Sequence, residues 1–106
     1  MTDPSFTAEL APADGTTVLR LRGELDLSGV EQAQMQAGRL LEQLTPGERF
    51  VVDLSELTFC DSSGIRALMQ IRADALAAGK KLLLSSPTPP VRRVFELAGV
   101  DLIFEP

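Results

Sequence analysis

The sequence predicts an α/β domain on a mostly parallel sheet of four to five strands, the first strand antiparallel and helices packed against it. Two observations carry this. Strand-like and helix-like segments alternate in the order β-β-α-β-α-β-α-β, which demands crossover connections. Two inner strands, residues 50–54 and 81–85, are short and nearly continuous in apolar residues, the pattern of strands covered on both faces. The 106 residues fit one domain, 1–106. A hydrophobic content of 44%, with five Phe and no Trp or Tyr, makes the core mostly Leu, Val, Ile and Ala.

Each element has its own signal. Phe6, Ala8 and Leu10 alternate with Thr7 and Glu9 as a half-buried strand. Ala13-Asp14-Gly15 supplies a turn into a second strand, Val18-Leu19-Arg20-Leu21-Arg22, closing a hairpin. Ser28-Gly29-Val30-Glu31 reads as a capping box for a first helix. Val30, Ala33, Ala37, Leu40, Leu41 and Leu44 form its apolar stripe, and Pro46-Gly47 stop it. Asp61-Ser62-Ser63-Gly64 opens a second helix with an inner stripe of Ile65, Leu68, Met69, Ala75 and Leu76 and Gly79 at its C′ position. Thr88 and Pro89 fit the N-cap and first position of a third helix, with Val91, Val94, Phe95 and Ala98 inward and Gly99 at its end. Leu102-Ile103-Phe104 completes the series as a short strand.

Several function classes fall away. Without histidine there is no Ser-His-Asp or Cys-His catalysis and no His-ligated metal. One cysteine, Cys60, excludes an internal disulfide and a Cys-rich zinc site, and reads as a small buried apolar residue. Met1-Thr2-Asp3-Pro4 lacks the basic start of a signal peptide, and no apolar run is long enough to span a membrane. The expectation is a cytoplasmic protein. A net charge of −5 argues against a nucleic-acid partner. No acid–base or metal constellation is visible, so no catalytic, cofactor or metal residue is assigned.

In open α/β sheets function gathers at the carboxyl ends of the parallel strands. Two segments end there: Gly23-Glu24-Leu25-Asp26 before the first helix and Phe59-Cys60-Asp61-Ser62-Ser63-Gly64 before the second. Asp26 and Ser62 are expected to be neighbours. A serine at a helix N-terminus can accept a phosphate, whose charge the free amides partly stabilise. Taken alone, the same residues read more readily as an ordinary helix cap, because caps are far commoner than modified serines.

Residues 51–65, Val-Val-Asp-Leu-Ser-Glu-Leu-Thr-Phe-Cys-Asp-Ser-Ser-Gly-Ile, resemble the signature of the STAS family, the anti-sigma factor antagonists and their relatives. Arg22-Gly23-Glu24-Leu25-Asp26 resembles its segment after the second strand, and residues 89–100 its third-helix segment. The resemblance implies a STAS fold and a non-enzymatic module that binds an anti-sigma factor with a histidine-kinase-like ATPase fold, freeing the sigma factor. It implies phosphorylation of Ser62 by that partner acting as a serine kinase, loss of binding, and reset by a serine phosphatase. Ser63 is the second candidate acceptor. Asp26, Asp61, Ser62, Ser63, Gly64 and Arg66 are the implied partner surface, Arg66 reading also as a solvated helix residue. ATP and magnesium belong to the partner. Relatives usually continue into a fourth helix, which in this sequence, stopping at Pro106, is expected to be either absent or truncated. The alternative roles are a subunit of a transporter or of a stress-signalling scaffold. Oligomeric state stays open.

Overall fold

The computed structural model describes residues 6–13, 16–44 and 48–104. Leu19 and Leu21 are buried while Arg20 and Arg22 alternate with them on the other side, the period-2 pattern of a strand with one covered face. They lie in β2 (Thr16–Leu25), antiparallel to β1 (Phe6–Ala13). The expected turn residues Asp14 and Gly15 lie outside the described residues, as do Pro46 and Gly47. Helix α1 (Leu27–Gln43) crosses to β3 (Arg49–Cys60), α2 (Ser62–Ala77) to β4 (Lys81–Ser85), and α3 (Pro89–Leu97) follows. The sheet order is β1-β2-β3-β4, with β2, β3 and β4 mutually parallel.

One apolar cluster joins alternate strand positions (Leu19, Leu21, Phe50, Val52, Leu54, Leu82, Leu84) to the inner stripes of all three helices. The two inner strands are therefore covered on one face and not on both: Val51, Asp53, Leu83 and Ser85 are only half-buried. That second face carries ion pairs instead, Arg20 with Asp53 at 3.1 Å and Arg22 with Glu56 at 3.0 Å. Leu10, on the edge strand β1, is 53% exposed although its partner across the ladder, Leu19, is buried. Leu76 and Ala98, expected inward, are exposed, each in the last turn of its helix or just beyond it.

Both expected C-terminal glycines take positive φ, +72° at Gly79 and +76° at Gly99. Each closes a Schellman arrangement, with Lys80 N–H donating to Ala75 O and Val100 N–H to Phe95 O. Lys80 Nζ donates to Leu41 O, placing a cation at the carbonyl end of α1. The expected last strand is reduced: residues 101–103 form a 3-10 turn, and only Phe104 bridges to Leu84. Phe104 is held there by Phe95, edge-on at 4.7 Å, and by the Arg92 guanidinium 5.2 Å above its ring. Among the described residues no helix is long and apolar enough to cross a membrane.

Candidate functional site

β2 and β3 run parallel with Leu25 opposite Cys60, so Asp26 and Asp61 are the next residue on each strand. Both leave the sheet at its carboxyl edge and both become helix N-caps. The Asp61 amide donates to Leu25 O at 3.3 Å, tying one turn to the other. The sequence expectation that the two segments meet at one edge is therefore met by a direct backbone bond.

Asp61 Oδ1 accepts the Gly64 amide at 3.0 Å and the Ser63 hydroxyl at 2.6 Å. Those two bonds hold the Asp61 carboxyl below its ordinary range, the Ser63 hydroxyl contributing most. Ser63 is thus committed to the cap and half-buried. Ser62, one residue earlier, is exposed, and among the described residues its hydroxyl has no partner. The geometry separates two serines that the sequence leaves equivalent. Arg66 is exposed on the first turn beyond them.

The first helix begins two residues earlier than its sequence signal. The Ser28-Glu31 capping box does not form. Asp26 is the N-cap, and its Oδ1 accepts the Ser28 amide at 3.0 Å and the Ser28 hydroxyl at 2.6 Å. A carboxylate already delivered by β2 reaches those donors first, so Ser28 lies inside the helix. The two turns are then a repeated pattern: Asp26-Leu27-Ser28-Gly29 beside Asp61-Ser62-Ser63-Gly64. In each, Asp caps and Ser bonds the cap. In each, Gly is buried and the second residue faces outward. That second residue is Leu27 in one turn, 77% exposed, and Ser62 in the other. Leu27 and the half-exposed Phe59 were not found by sequence reasoning. The repeated Asp-x-Ser-Gly spacing is the signal that would have located Leu27.

Cys60 lies beneath the turn, and burial, with the Asp61 charge adding, pushes its thiol up to about 12. It is a packing residue, unreactive as a thiolate at neutral pH. Asp53 lies further down β3. Burial raises its carboxyl, but bonds from Ser55 and Arg20 outweigh burial and leave it lowered. Because Asp61 and Asp53 titrate below their unfolded values, their stabilisation is present above the carboxylate range and lost as pH falls through it. Wild-type Tm is expected to decline below about pH 4. Asp61→Asn, whose amide oxygen still caps, is expected to decline less steeply while retaining the Asp53 part. Thermal melts from pH 7 to 3 check this, and identical slopes for the two proteins would remove Asp61 from the account.

Two capped helix N-termini thus stand side by side at one sheet edge, with an outward serine on one of them. The family profile described as "Mlab, STAS domain" matches residues 8–105, and the chain belongs to the STAS family. An anti-sigma F factor antagonist from Lysinibacillus sphaericus is 33% identical over 85 residues, 80% of this chain and 72% of that one. The anti-sigma factor antagonist SpoIIAA in its unphosphorylated form superimposes with a TM-score of 0.75 at 28% identity, over 93% of this chain and 86% of that one. The Bacillus cell fate determinant SpoIIAA in the phosphorylated form gives 0.67 at 27% identity, over 93% and 89%. The first two of these relatives are anti-sigma factor antagonists by name.

Proposed function

We propose that this chain is a cytoplasmic anti-sigma factor antagonist, and that phosphorylation of Ser62 switches its binding off. The observation that carries the reading is the division of labour in the turn: Ser63 Oγ lies 2.6 Å from Asp61 Oδ1, while Ser62 stands outward with no partner among the described residues. A kinase can reach the Ser62 hydroxyl without dismantling the cap. The α2 amides then offset part of the added charge, so the domain stays folded. The partner is an anti-sigma factor with a histidine-kinase-like ATPase fold that acts as a serine kinase, and a serine phosphatase restores the unmodified form. Asp26, Asp61, Ser62, Ser63, Gly64 and Arg66 form the docking face, with Leu27 and Phe59 adding apolar area to a mostly polar rim.

The test captures partners from native lysate on the unphosphorylated chain, identifies them by mass spectrometry, and adds ATP and magnesium to the complex. Recovery of an ATPase-type anti-sigma factor, with phosphate on the peptide 61–66 at Ser62, is the expected result. Phosphate on Ser63 would reverse the assignment of the two serines. Recovery of transporter subunits instead would overturn the antagonist reading and leave Ser62 a plain first-turn residue.

A further inference from the structure

The two Asp-x-Ser-Gly turns are level with each other only because β3 takes up extra chain. Between Arg20 and Leu25, β2 advances five residues while β3 advances seven, from Asp53 to Cys60. The register shifts fall between Arg20 and Arg22 and between Gly23 and Glu24. A regular ladder continuing from the Arg20–Asp53 pair would set Leu25 opposite Thr58. Asp61 would then project two residues further, about 7 Å at the usual strand rise. The Asp61 amide would no longer meet Leu25 O.

Side chains hold each shift. At the first, Asp53 Oδ1 accepts the Ser55 amide at 2.9 Å and Oδ2 accepts Arg20 Nε at 3.1 Å. Arg22 grips both oxygens of Glu56, at 3.0 and 3.2 Å, immediately beyond. At the second, Thr58 Oγ1 donates across the strands to Gly23 O at 3.1 Å. Gly23 has φ +94°, a conformation that a side chain would strain and that commonly marks a bulge. Thr58 and Asp53 point to neither helix N-terminus; their bonds are to the strand backbone, Arg20 and Ser55.

We propose that Thr58 and Asp53 are positioning residues for the Ser62 surface: each pins one extra residue of β3, and together they set the Asp61 turn at the height of the Asp26 turn. This deepens the antagonist reading, because a partner that reads both turns at once reads their relative height. The placement itself can be measured without any partner.

Thr58→Val keeps the shape and removes the donor, and Thr58→Ser restores it. In native-state hydrogen exchange, Thr58→Val is expected to lower protection of the Asp61 amide at least tenfold. Protection of the Leu19 and Leu21 amides should stay unchanged, and Thr58→Ser should return Asp61 to within threefold of wild type. Unchanged Asp61 protection would overturn the proposal, and so would an equal loss at every amide, which a merely structural role would give. In the second arm, the ATPase captured by the wild-type chain is titrated against each variant. Thr58→Val is expected to bind about tenfold more weakly, and Thr58→Ser like wild type. Wild-type affinity in Thr58→Val despite a loosened Asp61 amide would overturn the link to the partner surface. Capture of no ATPase by the wild type would fail the antagonist reading, while the exchange arm still decides the positioning.

Discussion

Ser62→Glu is expected to bind the captured ATPase more than a hundredfold more weakly than wild type, a loss of about 2.7 kcal/mol or more, while Ser62→Ala stays within threefold. The asymmetry follows from where the charge lands. Ser62 is the first residue of α2, next to the Asp61 carboxylate, and the Asp26 carboxylate caps the neighbouring helix. A phosphate adds roughly −1.5 to −2 charges to a face that already presents two. Any partner that docks flush against these turns must desolvate the added charge or oppose it. Folding responds in the opposite direction, because a carboxylate in the first turn of a helix is favourable by a few tenths of a kcal/mol. Ser62→Glu should therefore melt at or slightly above the wild-type temperature. Titration calorimetry with the ATPase, beside thermal melts, separates the two effects. Wild-type affinity in Ser62→Glu would refute the switch, and a lowered Tm would reassign the loss to unfolding.

Local order was readable where the signal is short-range. Asp61 followed three residues later by buried Gly64, then an apolar stripe from Ile65 to Ala75, fixes the start and inner face of α2 with no knowledge of the rest. Gly79 and Gly99 likewise announce their Schellman ends. Most of what was not readable depends on residues far apart in the chain; the start of α1 instead turns on a local competition, Asp26 being two residues from Ser28. Ser28 and Glu31 satisfy a capping box in isolation, and only the arrival of Asp26 at the end of β2 displaces it. The apolar runs at 50–54 and 81–85 suggest two covered faces. The second face is half-open because Arg20 and Arg22 meet Asp53 and Glu56 there, partners 33 and 34 residues away. Gly23 is an isolated glycine inside a strand, a bulge signal, yet the sequence does not say that Thr58 closes the bulge. Of the site, the turn at 61–64 stood out; the choice of Ser62 over Ser63 by geometry needed the bond from Ser63 to Asp61.

Gly64→Ala is expected to cost about 2–3 kcal/mol, toward the upper end for an overpacked site. At about 4–8 °C per kcal/mol for a domain of this size, Tm falls by roughly 10–20 °C. A Cβ at this position would lie 2.6 Å from Leu25 O, 2.7 Å from Cys60 Sγ and 3.0 Å from Leu25 Cγ. The first of these is backbone, already bonded to the Asp61 amide, so it cannot withdraw without parting the two turns. Cys60 is 1% exposed and has no room to rotate outward. Gly29, the matching residue of the other turn, is a weaker constraint: its Cβ would stand 3.0 Å from the Phe6 ring, a contact that a few tenths of an ångström relieve and that involves no backbone atom. Gly38, inside α1, has nothing within 4 Å, and Gly38→Ala is expected to stabilise by about 0.5–1 kcal/mol through helix propensity alone. Denaturant melts of the three variants should rank Gly64→Ala lowest, Gly29→Ala between and Gly38→Ala above wild type. A Gly64→Ala protein as stable as wild type would show that the turns can separate freely. Their relative height would then be no fixed feature for a partner to read.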